Sequence, residues 1–260
     1  MSESVKEYIS VEHVSRSFEN SNGLLEVLKD INFSVKKGEL ICIVGSSGCG
    51  KSTLIRAMEG LDSEYKGDIY IDGERITKPS KSRGFVFQEN RLFPWLSVEK
   101  NIIFALDEGT TAQKKEKARE VIKLVGLKGF ENNLPKTLSG GMAQRANIAR
   151  TLVNQPDVIF LDEPFGALDA FTKIQLQDEL INIKHERNTT MIMVTHDIDE
   201  AIYLSNRIIV LGKQPGVIRD IINVNLPRPR DRNDYYFNEI RKKVYGYFFE
   251  QQQIVEEYNI

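Results

Sequence analysis

The chain has 260 residues, a formal net charge of −2 and 41% hydrophobic residues. That length allows a sizeable buried core, in one large domain or two small ones. Near-balanced, interspersed charge argues against a surface dominated by nucleic-acid phosphate contacts. Two cysteines, Cys42 and Cys49, have neither metal-ligand spacing nor a pairing pattern, so a reducing compartment is expected rather than a disulfide framework. The opening Met-Ser-Glu-Ser-Val-Lys-Glu has no apolar signal region, and no apolar run approaches the ~20 residues of a membrane span. The expectation is a soluble, cytoplasmic chain that reaches a membrane only through a partner.

In chain order, Tyr8–Val11 and Ile31–Val35 read as short β-runs, and Ile69-Tyr70-Ile71 is closed by the turn pair Asp72-Gly73. Five further runs are apolar almost throughout: Leu40–Val44, Phe85–Phe87, Val158–Leu161, Met191–Val194 and Ile208–Leu211. Continuous apolarity marks strands covered on both faces, as in a parallel sheet, and the helical patterns between them make the fold α/β. Residues from about 90 to 155 lack a clear strand. There Thr111 is expected to cap a helix carrying Ala118, Val121, Ile122 and Val125, with Gly126 as its stop. The stretch therefore reads as a helical insertion in a domain spanning 1–226. Pro227-Arg228-Pro229-Arg230 then breaks the chain, and Phe237, Ile240, Val244 and Phe248 recur at helical spacing in a tail over 227–260. That tail is either a closing helix packed on the domain or a helix that binds a partner.

Three motifs carry chemistry. Gly45-Ser46-Ser47-Gly48-Cys49-Gly50-Lys51-Ser52, followed by Thr53, fits G-x-x-x-x-G-K-S between an apolar strand and a helix bearing Leu54, Ile55 and Met58. Its glycines let backbone N–H groups converge on phosphates. Lys51 can reach the β- and γ-phosphates, and Ser52 offers a hydroxyl to Mg2+. Cys49 sits in this loop as a small residue. The second motif, Val158–Glu163, delivers Asp162 at the carboxyl end of a strand, where it can hold Mg2+ or its water. Glu163 is placed to take a proton from an attacking water. In the third, Leu138-Ser139-Gly140-Gly141-Met142, Ser139 is an N-cap and the two glycines leave the helix start open as an anion site. Alone, this last motif would be an ordinary Ser-capped helix.

With these pieces in this order, the chain resembles the ATP-binding subunits of ABC transporters over nearly its full length. The resemblance implies a P-loop NTPase cassette with a parallel-sheet core, an N-terminal antiparallel β subdomain and an inserted helical subdomain. It implies ATP and Mg2+ as ligands. Phe18 would stack on adenine, with a place in the N-terminal core as the alternative. Gln88 would sense Mg2+ and the attacking water, Ala167-Leu168-Asp169 would be the D-loop, and His196 would contact the γ-phosphate. His13 and His185 read as surface or packing residues. The family often has Gln where Met142 stands, whereas Ser139, Gly140 and Gly141 match.

Phe93-Pro94-Trp95 falls where the family grips its permease, with local packing as the alternative. Together with Phe165–Ala170 and Leu226–Arg230, this run is similar to the nitrate, sulfonate and taurine importer branch. The implied partners are a second copy of the chain in a head-to-tail ATP sandwich, an integral membrane permease and, indirectly, an extracytoplasmic solute-binding protein. No nucleic acid is expected. The implied location is peripheral, on the cytoplasmic face of the membrane. Competing readings are an importer for pyrimidine or riboflavin precursors, an exporter ATPase, a soluble ABC ATPase acting on DNA or ribosomes, and a P-loop kinase that would need no Ser139–Gly141 motif.

Overall fold

Glu7–Asn20 (β1) and Gly23–Lys36 (β2) pair as an antiparallel hairpin of 14-residue strands, much longer than the runs visible in the sequence. The computed structural model describes residues 7–21, 23–166 and 168–256. The expectation of short strands is corrected by irregular register: shifts fall between Val11 and Val14, Val14 and Arg16, and Arg16 and Ser17. These bulges disrupt the apolar alternation that would have revealed the strands. At the shift between Val11 and Val14, His13 adopts φ 52°, its N–H donates to Asn32 Oδ1 at 2.8 Å, and its exposed ring meets Asp30 Oδ1 at 2.7 Å.

The chain continues through Leu40–Val44 (β3), Lys51–Glu59 (α1), Lys66–Ile71 (β4), Glu74–Arg75 (β5) and Arg83–Val86 (β6). Then come Val98–Phe104 (α2), Thr111–Leu124 (α3), Gly140–Leu152 (α4), Val158–Asp162 (β7), Ala170–Arg187 (α5) and Thr190–Thr195 (β8). Ile198–Leu204 (α6), Arg207–Leu211 (β9), Ile218–Asn223 (β10) and Tyr235–Glu256 (α7) complete it. The two-residue β5 and the strand β10 carry no strong sequence pattern; β10 alternates weakly and buries only Ile222 fully. By internal contact the chain divides into two units, residues 1–79 with 192–260, and residues 80–191. Strand β8, buried along its whole length, carries the chain from the second unit back into the first.

In the first unit an antiparallel sheet has the order β2-β1-β4-β5. Separately, β3 runs parallel to β9, from Ile41 opposite Arg207 to Val44 opposite Val210, and β10 pairs antiparallel to β9. All five residues of β3 are buried, as continuous apolarity predicts, and α1 covers the core with Leu54, Ile55 and Met58. The N-terminal end of this pairing is tied by Arg207, whose guanidinium grips Glu39 at 2.6 and 2.9 Å and Ser34 O at 2.5 Å. Helix α7 contributes Phe237 and Val244 to the core of the unit, while Tyr235 and Tyr236 stay exposed.

In the second unit β6 runs parallel to β7, with Phe85 opposite Phe160 and Val86 opposite Leu161. Helix α3 starts one residue earlier than a Thr111 cap implies. Thr110 is the N-cap, its hydroxyl accepts from the Gln113 N–H, and the Gln113 side chain returns to the Thr110 N–H. This reciprocal capping box selects Thr110 over its neighbour. Gly126 follows the C-cap Val125 with φ 69°, the left-handed conformation that ends the helix. Helix α4 buries Ala146, Ala149 and Leu152, with Val153 beyond its end. No helix among the described residues is long and apolar enough to cross a membrane.

Phe237 is fully buried, so Phe237→Ala should lower stability by about 3–5 kcal/mol. Tyr235→Ala, at an exposed site, should change it by no more than about 0.5 kcal/mol. Urea unfolding of the two variants side by side checks both values.

Candidate nucleotide site

The loop from Gly45 to Gly50 joins the buried end of β3 to the start of α1. Helices α2 to α6 each begin with a side-chain cap, from Ser97, Thr110, Ser139, Asp169 and Asp197. Helix α1 does not. Its N-cap is Gly50, at φ 100°, with no side-chain oxygen over its first N–H groups. A helix start left open in this way presents unsatisfied donors and the positive end of the macrodipole to an anion. The φ of Gly50 favours glycine, and a Cβ there would also sit 2.6 Å from Leu28 Cδ2, so the leucine would have to shift.

Lys51 is buried, and its ammonium donates to Gly45 O at 2.9 Å and Ser46 O at 3.1 Å, across its own loop. Ser46, Ser52 and Thr53 are half-buried, and Ser47 and Gly48 are exposed. Cys49 turns its side chain inward: it is buried, its N–H donates to Ser46 O at 3.3 Å, and burial raises its thiol above the usual range. Its part in the loop is packing. Phe18 is not a core residue. It is 38% exposed on β1, with the Arg16 guanidinium 4.1 Å from its ring centroid.

His196 follows β8 in a turn held by its neighbours. Thr195 Oγ donates to Glu200 Oε2 at 2.6 Å and accepts from the Asp197 N–H at 3.0 Å, while Asp197 caps α6 through the Glu200 N–H. The exposed imidazole shares one cleft of about 190 Å3 with Gly45 and Ser46. The first unit therefore brings the histidine and the phosphate-type loop together. The same cleft is walled by Tyr245, Phe248 and Phe249 of α7. The helical spacing of the tail marks a packing face but gives no sign of what that face meets.

In the second unit β7 is buried throughout and ends at Asp162, itself only 4% exposed. Glu163 comes next with φ 45°, a conformation that non-glycine residues adopt mainly where the surroundings impose it, often at functional sites. The turn is closed by Gly166 N–H to Glu163 O at 3.2 Å. Gln88, exposed just beyond β6, and Glu163 converge on Gly166: a Cβ there would lie 3.9 Å from both Gln88 Nε2 and Glu163 Oε2.

Ser139 caps α4 by accepting from the Met142 N–H at 3.3 Å, so Met142 serves the motif through its backbone. Gly140 is exposed, and Gly141 packs against the Thr172 methyl so closely that no Cβ fits. Asp169 caps α5 through the Thr172 N–H at 3.1 Å, and hydrogen bonds from Thr172, the hydroxyl first and then this N–H, hold its carboxyl below the usual range. Ser139–Gly141 and Asp169 thus meet at the shared starts of α4 and α5. Ala167 lies outside the described residues.

The family model "ABC transporter" matches residues 28–166. The aliphatic sulfonates import ATP-binding protein SsuB of Bacillus cereus is 53% identical over 240 residues, covering 92% of this chain and 95% of that protein. A solved dimeric bacterial ABC transporter cassette, MJ0796, is 31% identical with TM-score 0.76, covering 84% of this chain and all of that one. The same cassette in a post-hydrolysis state bound to ADP and Pi gives TM-score 0.75. The chain belongs to the ABC transporter family. It is an ATP-binding cassette and an ATPase, with the mixed α/β fold expected of it.

The ABC cassette also exposes an aromatic loop in its second unit. Trp95 is 71% and Phe104 63% exposed, and the Phe93 ring lies 5.6 Å from Trp95 and 4.6 Å from Phe104. Pro94 is exposed as well. Pro94 and Trp95 are therefore not core residues, while the half-buried Phe93 packs against the Trp95 and Phe104 rings. The loop is shaped from beneath by Asn101, a fully buried residue of α2 that sequence inspection passed over. Its Oδ1 accepts from the Phe93 N–H at 2.7 Å, and its Nδ2 donates to Phe93 O, Leu96 O and Ser97 O at 3.2, 2.9 and 3.1 Å. A polar amide amid Val98, Ile102 and Ile103 was the available signal, because buried amides need complete hydrogen bonding.

Asn101→Ala removes four side-chain hydrogen bonds to the loop backbone; Phe93 O and Ser97 O keep backbone donors, whereas the Phe93 N–H and Leu96 O lose their Asn101 partner. Stability should fall by about 1–3 kcal/mol, and Trp95 fluorescence should shift as the loop loses its shape. Chemical denaturation followed by that fluorescence reads both effects.

Proposed function

We propose that this ABC ATPase is the energy-coupling subunit of an importer for aliphatic sulfonates. The observation that carries the substrate class is the 53% identity, over nearly the whole chain, to a protein named for aliphatic sulfonate import. In the proposed assembly two copies close head to tail on two ATP molecules. The dimeric ABC cassettes of similar fold support this arrangement. Each site takes Gly45–Thr53, Gln88, Asp162, Glu163 and His196 from one copy and Ser139–Gly141 from the other. The capped start of α4, with Ser139 and Gly140 exposed, suits a phosphate brought by a second molecule.

The donor set fits Mg2+. Among the described residues no group of three His, Cys, Asp or Glu forms a protein cage. One buried carboxylate (Asp162), the Ser52 hydroxyl and the Gln88 amide match a cation that takes its remaining ligands from phosphates and water. When bound, Mg2+ neutralises charge that develops on the phosphate oxygens. Within the chain, the open start of α1 orients the phosphates and Lys51 exchanges its loop carbonyls for phosphate oxygens. Glu163 polarises the attacking water for in-line displacement, and His196 donates to the γ-phosphate. Phe18 supplies a ring for the adenine, and Asp169 joins the two copies beside the site.

Phe93, Pro94 and Trp95 are the proposed anchor for an integral membrane permease. That contact would hold the subunit peripherally at the cytoplasmic face, with selectivity residing in the permease and an extracytoplasmic binding protein. An exposed, rigidly supported aromatic cluster is the composition of an interface hot spot.

Glu163→Gln should retain ATP binding, form a dimer on size exclusion in the presence of ATP, and lose at least about 100-fold in turnover. Near-normal turnover would sink the assignment of the base. Trp95→Ala should weaken capture of the co-encoded permease about tenfold, a loss of about 1.4 kcal/mol, read by titration in detergent. For the solute, the subunit is reconstituted with its permease and binding protein, and ATPase stimulation is measured across alkanesulfonates, taurine and nitrate. Stimulation by alkanesulfonates is expected; stimulation by nitrate alone overturns the substrate class.

A further inference from the structure

Helix α6, which begins two residues after His196 behind the cap Asp197, is only seven residues long. A helix of two turns has little stability of its own, so its place is set by what grips it. Its C-terminal carbonyls are gripped by two arginines of the segment after β10. Arg230 Nη1 donates to Ile202 O, Tyr203 O and Ser205 O at 2.6, 3.1 and 2.6 Å, and Nη2 donates to Val224 O at 3.0 Å. Arg228 donates to Tyr203 O at 3.1 Å and Leu204 O at 2.5 Å. Cations here satisfy orphan acceptors and oppose the negative end of the helix dipole. Burial first, and then Arg228 beside it, lower the pKa of Arg230 to about 10, which still leaves it charged at pH 7.

The first turn of α6 is held from α7. Arg241 Nε and Nη2 clasp the two oxygens of Asp199 at 2.6 and 2.9 Å, a bidentate pair with a defined orientation. Helix α7 is itself pinned, by buried Phe237 and Val244 and by Lys243 and Tyr247 on Asp220 at 2.8 and 2.7 Å. One turn beyond Arg241, Tyr245 and then Phe248 and Phe249 wall the cleft that holds His196, Gly45 and Ser46. The tail therefore touches the histidine helix at its start, at its end and beside the histidine itself.

We infer that Arg228, Arg230 and Arg241 are positioning residues of the hydrolysis site, fixing α6 so that His196 stands at the Gly45–Ser46 end of the phosphate loop. The inference rests on the proposed contact of His196 with the γ-phosphate. The three arginines touch no reacting atom and act through the helix. A histidine displaced by about 1 Å loses much of its stabilisation of the developing charge while nucleotide binding by the loop is unaffected. Loss of the tail contacts should therefore appear in kcat and not in KM.

The test uses the full-length subunit, with Arg241→Gln, Arg230→Lys, and the exchange Asp199→Arg with Arg241→Asp, each made with His196 present and with His196→Ala. Single-turnover and steady-state ATP hydrolysis are measured, with thermal unfolding to verify that each variant is folded. Arg241→Gln should lower kcat about five- to tenfold and leave the KM for ATP within about twofold. The charge exchange should restore most of the lost rate. In the His196→Ala background Arg241→Gln should change the rate no further, which a general loosening of the fold would not produce. Arg230→Lys keeps the charge at the helix end and should fall between Arg241→Gln and the parent protein. Equal losses in both backgrounds, or a loss confined to KM, overturn the inference and leave the role of His196 standing. Unchanged turnover in His196→Ala alone overturns that role and the inference with it.

Discussion

Of helices α1 to α6, α1 alone starts without a side-chain cap. Ser97, Thr110, Ser139, Asp169 and Asp197 cover their helices with a side-chain oxygen, whereas Gly50 leaves α1 bare. Bare backbone donors at the end of a buried strand are costly unless something anionic meets them. In the proposed function, that open helix start is what receives the phosphates. Lys51 adds a buried cation inside the same loop, held on the carbonyls of Gly45 and Ser46.

The capped starts do a different job. Asp197 and Thr195 lock the turn that presents His196, and Asp169 and Ser139 bring the starts of α4 and α5 side by side. In each case a short polar side chain satisfies one N–H and leaves the next residues free to face outward. At Glu163 the same economy takes another form. The residue beside the buried carboxylate Asp162 is held at φ 45° by a tight turn closed through Gly166, a conformation retained at some cost in strain. Around that turn Gln88 and Glu163 converge, though 75 residues of chain separate them.

The aromatic loop and the tail show how supporting residues escape attention. Asn101 shapes the backbone under Phe93 and Trp95 from a position where sequence offers only one amide among aliphatic residues. Arg228 and Arg230 look like a basic, proline-broken linker, yet both guanidiniums turn inward onto the carbonyls ending α6. Charge in a sequence suggests a solvated surface, and only the chain path reveals an unsatisfied helix end nearby. The tail's helical spacing likewise announced Phe237 and Val244 as packing residues but not the cleft next to His196.

What the sequence determined by itself was local or periodic. The G-x-x-x-x-G-K-S loop, the strand ending in Asp162-Glu163, the Ser139-Gly140-Gly141 helix start and the fully apolar strands all follow from short-range chemistry, as does the stop at Gly126. The long bulged strands β1 and β2 were cut short, because register shifts at His13 and Asp30 scramble the alternation that marks a strand. The cap of α3 moved to Thr110, since reciprocal bonding with Gln113 decides between adjacent threonines. Tertiary structure alone decided the exposure of Phe18 and Trp95, the inward turn of Cys49, the meeting of Gln88 with Glu163, and the grip of the tail on α6. Each of those depends on which distant segment arrives at a given face, and no local preference encodes that.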